Sequence, residues 1–164
     1  MTEGKAPRGG PVQTRAYLME MLEATGLSPR RQLGQNFLID LNLLQLLVET
    51  ANPRKSDVVL EVGAGTGGLT SRLAERAGQV ISVELDPGFY HLACRETKGF
   101  NNVTLIAGDA LAHKNQMNPE VLDALRQAMA KVGTDHYHLA ANLPYDVAAL
   151  VIANPFLKIS RFVP

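Results

Sequence analysis

The sequence has a single cysteine, Cys94, among 164 residues and contains no tryptophan. One cysteine cannot form an internal disulfide, which excludes a disulfide-framed secreted fold. No apolar run approaches the roughly 18 to 20 residues that cross a bilayer, so no membrane span is expected. The Gly- and Pro-rich segment 1–11 has no apolar stretch of the kind that a signal peptide requires. We therefore expect a cytoplasmic protein, from a reducing compartment, with no membrane partner.

The charge balance also lacks a dominant sign. Lys and Arg together number 16, and Asp and Glu together number 16, so the net charge does not point to any class of partner. With 46% hydrophobic and 20% charged residues, the chain fits one compact globular domain. Residues 1–31 are mildly positive, with five basic and three acidic groups. These basic residues are candidate phosphate contacts, although a solvated helix face explains them nearly as well: Lys5, Arg8, Arg15, Arg30 and Arg31.

The N-terminal third is predicted to be helical behind a flexible arm. Residues 1–11 hold too little apolar material to offset the entropy of ordering them. Apolar residues at helical spacing predict a helix over 12–25, with Gly26 as its stop. Asp40 can cap a second helix, which Pro53 ends. Its apolar stripe is Leu41, Leu44, Leu47 and Val48. We divide the chain into the arm 1–11, a helical region 12–56 and an α/β domain 57–164.

From residue 57 onward, short apolar runs alternate with helix-like stretches. The runs predict four buried strands, at 58–62, 79–83, 103–107 and 137–141. The stretches between them predict helices at 69–77, 87–98 and 119–132. Strands that alternate with helices form a parallel sheet with helices on both faces. The fold class is therefore α/β, and a ligand is expected at the carboxyl ends of the strands.

A glycine-dense turn follows the first predicted strand. Gly63, Gly65 and Gly68 match the G-x-G-x-x-G pattern, in which the missing Cβ atoms let the backbone come close to a ligand. The alternative is a tight strand-to-helix turn that binds nothing. Glu61, just before the glycines, is more typical of methyltransferases than of dehydrogenases.

Acidic residues end the next two predicted strands. Glu84 lies about 20 residues past the first glycine, where a carboxylate can accept hydrogen bonds from both hydroxyls of a ribose. That placement suits a nucleoside cofactor, either NAD or S-adenosyl-L-methionine. Asp109 can accept a hydrogen bond from an adenine amino group, or it can simply cap a helix. Together with Gly63, the two acids predict a binding site for adenosine.

The fourth predicted strand runs into Asn142, Leu143, Pro144 and Tyr145. An adenine amino group is a poor nucleophile because its lone pair is delocalised into the ring. The amide oxygen of Asn142 and a backbone carbonyl near Leu143 or Pro144 would accept its two N–H protons and direct the lone pair at a methyl sulfonium. The ring of Tyr145 can stack on a base removed from its helix, and Pro144 stiffens the loop. These residues favour methyl transfer to an adenine amine, although the same tetrapeptide can also be no more than a turn.

The order of these motifs resembles the ribosomal RNA adenine dimethyltransferase family of the KsgA type. The resemblance covers about residues 30 to 153 and rests on RQLGQNFLID at 31–40, EVGAGTGGLT at 61–70, VELD at 83–86, GDAL at 108–111 and NLPY at 142–145. It implies a Rossmann-like class I S-adenosylmethionine-dependent methyltransferase fold. It also implies the conversion of two adjacent adenines near the 3′ end of small-subunit (16S) rRNA to N6,N6-dimethyladenine during ribosome biogenesis. The implied partner is the immature small ribosomal subunit, and we expect a monomer.

The resemblance also assigns roles to individual residues. It implies that Asn36 and Leu38, with Gln35 beside them, contact the cofactor as part of a lid, and that Gly63 and Gly65 line its amino-acid end. Glu84 would then hold the ribose and Asp109 the adenine, and Asn142 would bridge the cofactor and the target amine, as both a cofactor-binding and a catalytic residue. Two positions depart from the family pattern. Ala64 replaces the usual proline between the glycines, and Asp146 replaces the asparagine that usually follows the aromatic residue.

The length of the chain adds one further expectation. The family continues through later strands and a C-terminal helical domain that helps to grip RNA. We expect the 164 residues to hold four sheet strands and the catalytic loop, with the fold incomplete at the C-terminus. Part of the family's positive surface would lie in what is absent, so the balanced charge argues against activity of this chain by itself.

Three alternatives to the main interpretation stay open. One is the erythromycin-resistance type of large-subunit rRNA adenine methylase, and another is a noncatalytic rRNA-binding assembly factor. A nicotinamide dehydrogenase is the third, and it is disfavoured because residues 142–145 would have no role in it. The spacings of His91 with Cys94 and of His136 with His138 complete no four-ligand set, so no metal is expected.

Overall fold

The computed structural model describes residues 14–27, 41–113, 116–141 and 158–163. Its main feature is a five-stranded parallel sheet with the strand order β3-β2-β1-β6-β7. The sheet strands are β1 (Val58–Val62), β2 (Gln79–Glu84), β3 (Val103–Ala107), β6 (His136–Ala141) and β7 (Lys158–Val163). Two short strands, β4 (Leu111–His113) and β5 (Gln116–Met117), form a separate antiparallel hairpin. The helices are α1 (Arg15–Thr25), α2 (Leu41–Ala51), α3 (Gly68–Arg76), α4 (Pro87–Thr97) and α5 (Pro119–Val132).

Helices cover both faces of the sheet, as the sequence predicts. On one face, α5 packs on alternate residues of the central strands, and Val121 and Leu125 lie fully buried against Leu60 and Leu139. On the other face, α2 and α3 pack on the residues between them, including Val59 and Val80. All five residues of β1 are buried for this reason, so apolar and polar residues do not alternate along it; Glu61 is the one charged residue in the strand. None of the helices in the described part of the chain is long and apolar enough to cross a membrane.

The helix ends follow the capping residues in the sequence. Thr14 has extended backbone angles and accepts a hydrogen bond from the Tyr17 amide, so α1 begins at Arg15 rather than at residue 12. Gly26, with a φ of 64°, ends α1 as predicted. Asp86 caps α4 by accepting from the amides of Gly88 and Phe89. Helix α2 ends at Ala51, two residues before Pro53, because Asn52 adopts a φ of 41°.

Four features differ from the prediction. Strand β3, which is predicted to be buried, lies at the edge of the sheet, and Ile106 alone among its five residues is buried. The expected count of four sheet strands is wrong, because Lys158–Val163 forms a fifth strand parallel to β6. Lys158, Ser160 and Arg161 interrupt the apolar pattern there, so the segment does not read as a buried run. The β4–β5 hairpin is also absent from the prediction, since its strands have only three and two residues. Strand β2 extends one residue further than predicted, through Glu84.

Several predictions concern residues outside the described part of the chain. These are the flexible arm 1–11, the cap at Asp40, the cofactor contacts at Asn36 and Leu38, and the loop of Asn142, Leu143, Pro144 and Tyr145.

Candidate functional site

The glycine turn after β1 is tied by hydrogen bonds to the carboxyl end of β2. The amides of Gly63 and Ala64 both donate to the carbonyl oxygen of Val83, over 2.8 and 3.1 Å. Gly63 and Gly65 have φ angles of 88° and 55°, in the left-handed region that glycine tolerates at little cost. The backbone conformation therefore favours glycine at both positions to which the family resemblance assigns a cofactor contact.

Glu84 joins this turn through its side chain. Its Oε2 accepts a hydrogen bond from the Gly65 amide over 2.7 Å, and its Oε1 accepts one from the Asp86 amide over 2.9 Å. The residue is only 5% exposed, so these bonds fix the orientation of the carboxylate. An ionised carboxylate offers about four acceptor positions, of which two are used here. The remaining positions fit the paired hydroxyls of a ribose, so Glu84 suits the cofactor that the sequence predicts.

Asp109 lies close to Glu84 at the same edge of the sheet. The amide of Gly108 donates to the Glu84 carbonyl oxygen over 2.8 Å, which joins the carboxyl ends of β2 and β3. The Asp109 side chain is exposed, and its Oδ1 accepts from the Leu111 amide over 2.9 Å. Asp109 thus closes a turn that leads into β4 and does not cap a helix. Among the described residues only Oδ1 is engaged, which leaves Oδ2 able to accept from an amino group.

Glu61 lies buried beneath the glycine turn, with only 1% of its surface exposed. Its Oε2 accepts hydrogen bonds from the hydroxyls of Thr70 on α3 and Ser82 on β2, over 2.6 and 2.7 Å. Its Oε1 has no hydrogen-bond partner in the described part of the chain. Burial raises the pKa of Glu61 from 4.5 to about 7; the two hydroxyl hydrogen bonds oppose the rise, and the charge of Glu84 adds to it. Glu61 therefore connects the three elements that surround the turn.

The third structurally required glycine is Gly67, not Gly68 as the motif match suggests. Gly67 caps α3 with a φ of 79°, whereas Gly68 is the first residue of the helix. A Cβ atom at Gly67 would lie 3.0 Å from the Ala93 Cα atom of α4. The sequence shows a glycine at both 67 and 68, and the left-handed φ of Gly67 and its close approach to α4 distinguish them.

The other predicted site residues cannot be placed in the same way. Strand β6 ends at Ala141, which pairs with Val62 at the last position of β1. Residues 142–145, which follow it, lie outside the described residues, as do Asn36 and Leu38. The structure thus brings together Gly63, Gly65, Glu84 and Asp109 from three strand ends. In the described ranges, no group of three or more His, Cys, Asp or Glu residues is arranged to hold a metal ion.

The parallel sheet, its helical layers and the acidic strand ends define a Rossmann-like class I S-adenosylmethionine-dependent methyltransferase fold. A family model described as ribosomal RNA adenine dimethylase matches residues 26–163. The chain belongs to this ribosomal RNA adenine dimethylase family.

Individual relatives agree with the family match. The chain is 41% identical over 152 residues to ribosomal RNA small subunit methyltransferase A of Pelotomaculum thermopropionicum, a match that covers 92% of this chain and 50% of that protein. It is 37% identical over 156 residues to the protein of the same name from Rhodococcus erythropolis, covering 95% of this chain and 48% of that one. The chain therefore spans about half the length of the relatives that it matches.

Solved structures give the same picture of the fold. The 23S rRNA methyltransferase ErmE is similar with a TM-score of 0.54 and 28% identity, over 71% of this chain and 41% of that one. A dimethyladenosine transferase from Plasmodium falciparum is similar with a TM-score of 0.53 and 25% identity, over 73% of this chain and 39% of that one.

Proposed function

We propose that this chain is the cofactor-binding part of an rRNA adenine N6,N6-dimethyltransferase. Its substrate is a pair of adjacent adenines near the 3′ end of small-subunit rRNA, in the immature small ribosomal subunit. Support comes from the family match and from relatives that are named small-subunit methyltransferases. The observation that carries the proposal is the grouping of Gly65, Glu84 and Asp109 at adjacent strand ends.

S-adenosylmethionine supplies the methyl group when it is bound at these strand ends. Glu84 would hold the ribose hydroxyls, because its buried carboxylate is oriented by two amides and keeps unused acceptor positions. Asp109 would accept from the adenine amino group through its free oxygen. Gly63 and Gly65 would let the backbone approach the amino-acid end of the cofactor. Residues 12–56 would contribute the N-terminal helices and, through Asn36 and Leu38, a cofactor lid.

For the target base we propose the roles predicted from the sequence. The Asn142 amide oxygen and a carbonyl at Leu143 or Pro144 would accept the two N–H protons of the adenine amine, which leaves its lone pair free for methyl transfer. Tyr145 would stack on the extruded base. We also propose that the reaction takes place in the cytoplasm and that the working form is a monomer.

The test is methyl transfer to purified ribosomal subunits. Immature small subunits and large subunits are each incubated with the chain and methyl-labelled S-adenosylmethionine, and the labelled bases are mapped by primer-extension stops. The proposal expects label at two adjacent adenines of the small-subunit rRNA only, at a low level because the balanced charge argues against activity of this chain by itself. Label on large-subunit rRNA would instead support the erythromycin-resistance type, for which the likeness to ErmE is the motivating observation. Binding to small subunits without transfer would support a noncatalytic assembly factor.

A further inference from the structure

Asn118 forms four hydrogen bonds at the junction between the β4–β5 hairpin and α5, one of which is the bond from the Leu122 amide to its carbonyl oxygen within the first turn of α5. Its Oδ1 accepts from the Glu120 amide over 3.0 Å, which caps α5. Its Nδ2 donates to the carbonyl oxygen of Asp109 over 3.1 Å. Its backbone amide donates to the carbonyl oxygen of Ala110 over 2.8 Å. One side chain therefore connects the start of a helix with the loop that carries a predicted cofactor residue.

The hairpin holds Asn118 at this place. Leu111 pairs with Met117 across the two strands, and Met117 is fully buried in the core beside α5. Asn118 follows directly, so its backbone position is set by a core residue on one side and by the helix on the other. This anchoring makes it a rigid support for the neighbouring loop.

Hydrogen bonds consequently hold both the backbone carbonyl group and the side-chain carboxylate of Asp109. Its carbonyl oxygen accepts a hydrogen bond from the Asn118 side chain, and its carboxylate accepts one from the Leu111 amide. The preceding residue, Gly108, donates its amide to the carbonyl oxygen of Glu84. The side chain is nevertheless exposed. An exposed carboxylate needs such support, because its hydrogen-bond geometry toward a ligand is otherwise lost to backbone and rotamer freedom.

We propose that Asn118 is a positioning residue that orients Asp109 for recognition of the adenine amino group. This inference rests on the proposed function and deepens it by naming a residue that sets the selectivity of the cofactor site. Asn118 does not itself touch the cofactor; it acts through the carbonyl group of Asp109. It also gives the long segment between β3 and β6 a role in the site.

Binding selectivity is the direct test. Isothermal titration compares S-adenosylhomocysteine with S-inosylhomocysteine, in which an oxo group replaces the 6-amino group and cannot donate to a carboxylate. Wild type should prefer the adenosyl compound, and Asp109→Ala should lose that preference. Asn118→Asp keeps a good helix cap but removes the amide donor, so the preference should fall by about fivefold, the value of one typical hydrogen bond. Asn118→Ser, which caps without adding a charge, should give the same fall.

A matched control and a second measurement separate positioning from folding. Asn102 also donates its Nδ2 to backbone carbonyls, those of Ala74 and Ala77 at the opposite end of the sheet. Asn102→Asp should lower the melting temperature and leave the selectivity unchanged. Hydrogen exchange at the Leu111 amide, measured without any ligand, should accelerate in both Asn118 variants and not in Asn102→Asp.

The outcomes distinguish this inference from the function on which it rests. If wild type binds neither compound, the proposed cofactor site is wrong and the inference falls with it. If wild type and Asp109→Ala behave as expected but both Asn118 variants keep the wild-type preference, only the positioning role is overturned. The same conclusion follows if Leu111 exchange is unchanged in both variants.

Discussion

The backbone amide of Gly65 donates a hydrogen bond to Glu84 Oε2 over 2.7 Å, which couples the glycine turn after β1 to the acidic end of β2. The bond satisfies a part-buried backbone amide. It also fixes the carboxylate and the turn relative to each other. The two sequence motifs that predict cofactor binding are therefore one structural unit, which Gly108 extends to Asp109.

We expect Glu61→Gln to remove a pH dependence of stability. The folded-state pKa of Glu61 is about 7, above its ordinary value of 4.5, so the folded protein holds the proton more tightly than the unfolded chain does. The resulting stabilisation is full below about pH 4.5 and is lost as the pH rises to about 7, a change of the order of 3 kcal/mol. Glutamine keeps an acceptor for the Thr70 and Ser82 hydroxyls and carries no charge. Urea unfolding should show that the free energy of unfolding of Glu61→Gln, taken relative to that of wild type, is higher at pH 8 than at pH 5.

Glu49→Gln is the control for this measurement, because Glu49 lies on the exposed face of α2, where it accepts from Gln45. Its pH profile should follow that of wild type. Parallel profiles for wild type and Glu61→Gln would show that the buried carboxyl does not titrate as described.

Gly67→Ala should destabilise the fold more than Gly133→Ala does. Both glycines have left-handed φ angles, 79° and 83°, so an alanine costs each about 1 to 2 kcal/mol in backbone strain. Only at Gly67 does the new Cβ meet the backbone of α4, at 3.0 Å from the Ala93 Cα atom; at Gly133 nothing lies within 4 Å. Overpacking should add about 1 to 3 kcal/mol at Gly67. Equal losses in chemical denaturation would mean that α3 and α4 are not in close contact there.

Replacing Lys55 by methionine should weaken the C-terminal end of α3. The Lys55 ammonium group donates to the carbonyl oxygens of Ala74 and Ala77 over 3.3 and 3.0 Å, and it lies near the negative end of the helix dipole. We expect a loss of about 1 kcal/mol in the free energy of unfolding. Lys131→Met, which removes an exposed contact to the Gln79 side chain, serves as the control and should change stability by less than about 0.5 kcal/mol. An equal effect of the two substitutions would contradict the capping role.

Asn142→Ala should separate methyl transfer from cofactor binding. The amide oxygen is predicted to hold the target amine, so transfer should fall by about a hundredfold or more. Cofactor affinity should fall much less, because Glu84 and the glycine turn are intact. Asn101→Ala, at an exposed turn before β3, should leave both unchanged. Transfer at the wild-type rate by Asn142→Ala would remove this residue from the reaction.

Much of the fold follows from local pattern. The bounds of β1, β3 and α5 agree with the sequence prediction, because β1 and β3 are short runs of mainly apolar residues and α5 has Pro near its first turn. The parallel connection follows from the alternation of strands and helices. Strand β7 cannot be predicted from local pattern, because Lys158, Ser160 and Arg161 interrupt its apolar run. Its strand conformation depends on pairing with β6.

The candidate site likewise contains some residues that can be predicted from the sequence and others that cannot. Gly63, Gly65, Glu84 and Asp109 can be predicted because each ends a strand of a parallel sheet or lies within three residues of a strand end, where ligands bind. Gly67 and Asn118 carry no such signal. The importance of Gly67 comes from the approach of α4, and that of Asn118 from a hydrogen bond to a residue nine positions earlier in the chain. The roles of Asn36, Leu38 and residues 142–145 stay predictions.

The most direct measurement for the central claim is isothermal titration of S-adenosylmethionine into wild type, Glu84→Ala and the control Glu49→Gln. Glu84→Ala removes the buried carboxylate that the Gly65 and Asp86 amides orient. Wild type and the control should bind with equal affinity, and Glu84→Ala should bind at least about tenfold more weakly, as expected for the loss of charged hydrogen bonds to the ribose. Equal affinity in all three proteins would contradict the assignment of the cofactor site to these strand ends.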